Sequence, residues 1–434
     1  MNRLIYADLL RWKNSVRRKP LIVLGARQVG KTYILQEFGK KEFKSMAYIN
    51  CHNNPDATAL FSEGFDIPSI LLKLEAITGI HIIEGETLIF FDEIQEVKNG
   101  LASLKYFCEN APKLSVVVAG SLLGISIRSD ESYPVGKVDT LRMYPMLFCE
   151  FLEAMGEDML LDQLRKHHWE ILDAAKIKLT GLLRQYYFCG GMPEAVQAYI
   201  NKAPLEDIRN IQSEILDAYY RDMGKHSSTM TERIRLVWKS IGPQLAKENK
   251  KFIFGTVRSG ARAREYEEAV QWLADAGLII KVNSLSRPAL PLDFYSDTKN
   301  FKVYLLDIGL LCALFQIPPS EILIGMGIFS EFKGAFAENY LAQQLQQPFG
   351  EQIFYFSSNS MKFEIDFIVA TPPLMFPIEV KAGENVESKS LRKFYDQFSG
   401  SVQMNPIRFS MLGFKQQDWL TNLALYCANI FTTK

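Results

Sequence analysis

The chain has 434 residues, 48% of them hydrophobic, and 49 Lys and Arg balance 49 Asp and Glu to a formal net charge of zero at pH 7. This excludes a disordered chain and one that binds nucleic acid by bulk charge, and the length suits two to four domains, each with its own core. The six cysteines lack C-x-x-C spacing, which argues against a disulfide framework or zinc site and for a reducing, cytoplasmic compartment; no apolar run is long enough to cross a membrane, so no membrane association is expected.

Residues 4–16 read as a short amphipathic helix, closed by Arg17, Arg18 and Lys19 ahead of Pro20. Leu21-Ile22-Val23-Leu24 then reads as a buried strand running into Gly25-Ala26-Arg27-Gln28-Val29-Gly30-Lys31-Thr32, the pattern G-x-x-x-x-G-K-[ST]. In that pattern successive backbone N–H groups curl around a phosphate chain, and Gly25 and Gly30 clear the tight points. Lys31 meets the β- and γ-phosphates, Thr32 ligates Mg²⁺, and the following helix, residues 33–38, aims its positive end at the nucleotide. ATP with Mg²⁺ is the expected ligand.

Residues 45–50 are a second strand candidate, followed by a polar stretch and helical sequence to about residue 79. Residues 87–92 form an apolar strand ending in Asp92 and Glu93. Asp92 would hold Mg²⁺ through water, and Glu93 would orient or deprotonate the attacking water, which points to hydrolysis rather than small-molecule phosphorylation. A strand at 114–119 ends at Gly120-Ser121, where a polar residue on an inserted strand would sense the γ-phosphate. Arg128 and Arg142 are candidates for positive charge at the transition state, in cis or in a neighbouring subunit of an oligomer. A strand at 138–143 and residues 144–152 close this α/β unit.

Residues 153–220 are helical throughout, broken at Gly190-Gly191-Met192-Pro193, and read as a lid or connector. Between residues 221 and 264, eleven Lys and Arg stand against three Asp and Glu. Over this basic segment a helix (231–245), a short strand (252–256), a small helix near Gly260, a second helix (265–276) and a strand (278–282) follow in the order of a winged helix. Such a module either enters a DNA groove or serves as a protein–protein module, and Glu265, Glu267 and Glu268 on the second helix would oppose a phosphate backbone. Residues 303–311 read as a strand turning into a helix capped by Asp307.

The last third carries a second constellation. Glu338 lies in helical sequence (333–345), Asp366 in a strand (363–369), and Glu379 and Lys381 in the next (377–381). Residues two apart on a strand share a face, and a hairpin would bring Asp366 beside Glu379 and Lys381. Three carboxylates could then hold Mg²⁺ while Lys381 orients water or neutralises a scissile phosphate. The alternative is an amphipathic strand with alternating polar residues facing water.

The motifs at 25–32, 90–95 (Phe-Phe-Asp-Glu-Ile-Gln), 119–121 and 144–152 together resemble archaeal-type AAA-superfamily ATPases, and residues 305–311, 364–369 and 378–383 resemble the domain of unknown function usually fused to them, itself similar to PD-(D/E)XK nucleases. The resemblance implies nucleotide chemistry at Gly30, Lys31, Thr32, Asp92 and Glu93, and a nuclease pattern at Glu338, Asp366, Glu379 and Lys381. Gly136-Lys137 stands where a Gly-Arg pair is expected, which puts an arginine finger there in doubt. The expected architecture is α/β: a P-loop NTPase parallel sheet (1–155), a helical lid (156–225), a winged-helix module (226–285) and a mixed α/β restriction-nuclease-like domain (286–434). The expected activity is ATP hydrolysis acting on DNA through the 221–264 segment and the C-terminal domain, with metal-dependent cleavage there. The alternative is an ATP-controlled switch whose nuclease-like fold is non-catalytic.

Overall fold

The computed structural model describes residues 1–62, 64–121, 134–224, 227–247, 250–358, 362–383 and 387–431. The chain forms two compact units, residues 1–144 with 275–277, and residues 145–274 with 278–434. Arg128 lies outside the described residues.

The first unit is built on five strands: β1 (Leu21–Leu24), β2 (Ser45–Asn50), β3 (Thr87–Asp92), β4 (Ser115–Ala119) and β5 (Asp139–Arg142). All neighbours are parallel, in the order β2-β3-β4-β1-β5. β1, β3 and β4 are buried at every position, as their unbroken apolar runs require of parallel strands covered on both faces. On one face pack helices α1 (Ile5–Lys13) and α2 (Lys31–Glu42), where Trp12 lies against Phe38. On the other, α3 (Pro55–Leu60), α4 (Ile67–Thr78) and α5 (Gly100–Asn110) bury Phe61, Leu74 and Phe107 against Ile89, Phe91, Val116 and Val118. The strand inserted between the glycine-rich loop and the Asp-Glu pair is therefore present: β4 lies between β1 and β3.

The second unit packs helices against an eight-stranded mixed sheet, ordered β12-β13-β11-β10-β9-β8-β6-β7. Its strands are β6 (Ile279–Leu285), β7 (Ser296–Leu305), β8 (Phe354–Ser358), β9 (Phe363–Thr371), β10 (Leu374–Val380), β11 (Ile407–Ser410), β12 (Lys415–Gln416) and β13 (Thr421–Ala424). Leu391 and Phe394 of the helix Lys389–Phe398 fill one core with Phe356, Ile365 and Met375. The helix Lys333–Phe349 is buried from Ala335 to Leu345, and Asn339 clamps it to β7 by exchanging hydrogen bonds with the Leu305 backbone (2.8 and 3.0 Å).

Two local expectations change. Residues 252–256 do not form a strand: Phe252 N–H donates to Phe301 O at 2.8 Å, and Phe254–Val257 is a single helical turn. Only the start of the segment finds a partner strand, so its β-propensity is overridden beyond Phe252. The strand expected as a wing is β6, which pairs with β7 on one side and β8 on the other, so it is an interior strand of the large sheet. By their contacts residues 145–152 group with the second unit, where Phe148 and Phe151 pack on Tyr186. Asp307 caps the helix Ile308–Leu314 through Leu310 N–H (2.9 Å), as expected, and also accepts from Gly191 N–H (2.6 Å) and Gln343 Nε2 (2.9 Å).

Candidate functional site

β1 ends at Leu24 and the chain turns through the glycine-rich loop into α2. Gly25 has φ 150° and Gly30 φ 96°. A Cβ on Gly25 would stand 2.3 Å from the Met143 carbonyl oxygen, part of a backbone pinned by its own N–H to Leu24 O at 2.8 Å. Gly25 is thus demanded by chain packing as well as by access to a phosphate. Ala26 and Val29 are buried, while Arg27 and Gln28 are exposed.

Lys31 is 7% exposed and folds back so that its amine donates to the carbonyl oxygens of Gly25 and Ala26, each at 2.8 Å. Burial lowers its pKa to about 8, with the charges of Glu93 and Asp92 pulling the other way. Thr32 Oγ1 donates to Asp92 Oδ2 at 2.7 Å. Burial raises the Asp92 pKa, and the Thr32 hydrogen bond opposes it. One hydroxyl and one carboxylate, side by side at the head of α2, are the hard oxygen donors that suit Mg²⁺, so the residues fit that ion.

Glu93 adopts φ 53° at the tip of β3. Because β4 is the next strand, Ser121 reaches it: Glu93 Oε2 accepts from Ser121 N–H (3.0 Å), Ser121 Oγ (3.1 Å) and Gln95 Nε2 (2.5 Å). Two residues were missed in the sequence. Gln95 follows Glu93 by two and has a charge-free amide that only this turn aims at the carboxylate. Arg3, 8% exposed, donates to Val29 O (2.8 Å) and Tyr144 O (2.7 Å), clamping the loop to the chain after β5. Arg3 precedes the amphipathic segment, and nothing in the sequence around it signals this contact.

In the second unit the expected hairpin forms. β9 and β10 are antiparallel with Phe367 opposite Ile378, so the register carries Asp366 opposite Glu379. Val380 N–H donates to Asp366 Oδ2 at 2.8 Å. Glu379 Oε1 pairs with Lys381 Nζ at 3.0 Å, and its buried Oε2 has no hydrogen-bond partner among the described residues. These two residues open onto a cleft of about 310 Å³ also lined by Glu387, Lys389 and Ser390.

Glu338 corrects the expected convergence. Its Oε1 is ion-paired to Lys250 and its Oε2 accepts from Tyr304 OH at 3.1 Å. Nearby Lys302, 1% exposed, sits 2.5 Å from Glu364 Oε1 and over the Tyr355 ring. Burial works to lower the Lys302 pKa, but Glu338, Glu364 and Asp366 outweigh it and raise it. For Glu338 burial works upward and the two lysines bring it down; Asp366 is raised by burial and by Glu338. Among the described residues no group of three or more His, Cys, Asp or Glu is placed to hold a metal ion. Both Glu338 oxygens, Asp366 Oδ2 and Glu379 Oε1 are thus engaged by lysines, a tyrosine and a backbone N–H, so the three carboxylates do not face one another as a ready Mg²⁺ cage.

The basic segment is also partly consumed within the fold. Lys250 is paired, Lys247 bonds Thr256, and Arg235 stacks on Tyr220 at 4.3 Å. Lys239, Arg258, Arg262 and Arg264 remain exposed, as do Glu267 and Glu268. All six cysteines are free thiols, and among the described residues no helix is long and apolar enough to cross a membrane.

Residues 17–152 match the AAA domain family, residues 180–321 a domain of unknown function (DUF8612), and residues 333–417 another (DUF4143). A curated relative, the uncharacterized protein MJ1544 of Methanocaldococcus jannaschii, is 23% identical over 368 residues, spanning 82% of this chain and 73% of that protein. Among solved structures, Aeropyrum pernix Orc1 in complex with DNA aligns at 13% identity and TM-score 0.30 (74% of this chain, 95% of that one). Cdc6p of Pyrobaculum aerophilum aligns at 15% and 0.26 (74% and 92%). At such scores these superpositions say nothing of function here. The region carrying the glycine-rich loop and the Asp-Glu pair is thus similar to AAA domains, and most of the remainder to two families whose function is unknown.

Proposed function

We propose that the chain is a Mg²⁺-dependent ATPase whose nucleotide cycle acts on DNA, with a C-terminal domain that binds without cutting. The observation that supports it most is the Thr32 hydroxyl 2.7 Å from the Asp92 carboxylate at the head of α2, with Glu93 the next residue. In this reading the N–H groups of residues 25–32 receive the phosphates, and Lys31 leaves the Gly25 and Ala26 carbonyls to meet the γ-phosphate. Thr32 and Asp92 hold Mg²⁺, which would draw charge from the phosphate oxygens. Glu93 takes the proton of the attacking water, and Ser121, bonded to Glu93, reports the γ-phosphate to it. Exposed Lys239, Arg258, Arg262 and Arg264 support a DNA partner.

The non-cutting reading of the C-terminal domain rests on Glu338, whose two oxygens are held by Lys250 and Tyr304. Metal-dependent cleavage through Asp366, Glu379 and Lys381 is the second reading, favoured by the buried Glu379 Oε2, which has no hydrogen-bond partner among the described residues. The test is ATP hydrolysis with Mg²⁺, expected to disappear on Lys31→Ala, measured with and without duplex DNA over a salt series. Stimulation at low salt that fades as salt rises supports DNA as partner, and a DNA-independent rate removes it. Mg²⁺-dependent cleavage of DNA, lost on Asp366→Ala, would replace the non-cutting reading with the second.

A further inference from the structure

We infer that the carboxylate cluster of the C-terminal domain is a metal-free site whose cations belong to the chain itself, the Lys250 ammonium seated on Glu338 and the Lys302 ammonium on Glu364. The inference rests on the non-cutting reading above and is independent of the nucleotide chemistry.

Glu338, Glu364 and Asp366 all act on the buried Lys302 ammonium, with Glu338 joined to Tyr304 and Glu364 to Lys302 on β7, and carboxylates held around one buried amine resist burial without a counter-charge. Two ammonium groups supply it. The side chains of Lys250 and Glu338 are each 11% exposed, and that of Lys302 is 1% exposed. Four of the carboxylate oxygens are committed to groups of the chain: both of Glu338 to Lys250 and Tyr304, Glu364 Oε1 to Lys302, and Asp366 Oδ2 to Val380 N–H.

The lysines arrive by fixed backbone routes rather than by the chance reach of long side chains. Lys302 lies within β7. Lys250 is carried in because the chain after it is pinned to the outer edge of β7: Lys251 bridges Lys302, and Phe252 N–H donates to Phe301 O at 2.8 Å. Glu338 is held opposite by its neighbour Asn339, which grips the Leu305 backbone. Strand, edge segment and helix thus meet through their charges, and the pair of lysines does the work of neutralisation that a divalent ion would do in an open carboxylate site.

The experiment uses the full chain without nucleotide, in a Thr32→Ala background that removes the phosphate-loop ligand for metal. Thermal unfolding and Mn²⁺ binding by electron paramagnetic resonance are measured together. Mn²⁺ or EDTA is expected to leave the starting protein within about 1 °C, with no Mn²⁺ bound at the cluster. Lys250→Met should lower the melting temperature by about 5–10 °C, since it strands a buried carboxylate. Millimolar Mn²⁺ should recover part of that loss, and Lys250→Met with Glu338→Gln should recover part of it without metal. An unchanged melting temperature for Lys250→Met overturns the inference. So does Mn²⁺ bound by the starting protein and lost on Asp366→Asn, a comparison that holds even where Lys250→Met does not fold. Bound Mn²⁺ without DNA cleavage defeats this inference alone, whereas Mg²⁺-dependent cleavage defeats the non-cutting reading with it.

Discussion

Raising the pH is expected to weaken ATP binding from about pH 8 upward, through Lys31. Burial lowers this amine from its ordinary 10.5 to about 8, against the pull of Glu93 and Asp92. A neutral amine still has two protons to give, enough for the Gly25 and Ala26 carbonyls at 2.8 Å. Beside a triphosphate the ammonium form is favoured and the pKa returns toward or above its ordinary value. Between those two values binding takes up a proton, and each pH unit costs about 1.4 kcal/mol, a tenfold rise in Kd. The gap amounts to roughly 3 kcal/mol in all. The sign for folding is opposite: between about pH 8 and 10.5 the unfolded chain holds the proton that the empty fold has lost, so the stability of the empty protein rises with pH while its affinity for ATP falls. Calorimetric titration at pH 7, 8 and 9, in buffers of different ionisation enthalpy, reads both the Kd and the proton. Kd should weaken about tenfold from pH 7 to pH 9, with uptake approaching one proton at the upper end. A Kd constant within twofold, without proton uptake, would refute the burial of Lys31 as the governing effect.

Gly25→Ala places a methyl group 2.3 Å from the Met143 carbonyl oxygen, so the first unit should lose at least about 2 kcal/mol and its ATP affinity; an unaltered melting curve and Kd would contradict the packing. Ser121→Ala removes the hydroxyl that Glu93 Oε2 accepts from at 3.1 Å, a bond to a charged group worth about 1.5–3 kcal/mol, and should lower kcat about ten- to hundredfold with KM unchanged; a rise in KM at constant kcat would place Ser121 in ground-state binding instead. Asp307→Ala strands Gly191 N–H and Leu310 N–H in a fully buried position and takes one acceptor from the Gln343 amide, which keeps Tyr186 OH, for a loss of about 3–5 kcal/mol seen in denaturant unfolding; a midpoint close to that of the native chain would show that water or a neighbour takes over these donors.

By itself the sequence determined the parts whose physics is local. The glycine spacing of residues 25–32, the apolar runs of β1, β3 and β4, the cap at Asp307 and the β9–β10 hairpin each depend on neighbours a few residues away or on a ligand that demands them. Even the Thr32–Asp92 contact, 60 residues apart in the chain, was legible, because the glycine-rich loop pattern calls for a carboxylate at a strand tip beside its Ser or Thr. Tertiary structure alone decided that β6 is an interior strand, that residues after Phe252 turn into helix, that Arg3 holds the phosphate loop, and that Lys250 meets Glu338 across 88 residues. A lysine between two helices has no periodicity and no motif to announce its counter-ion. Its partner is set by which strand edge the backbone happens to find, and that is a property of the whole sheet rather than of any stretch of chain.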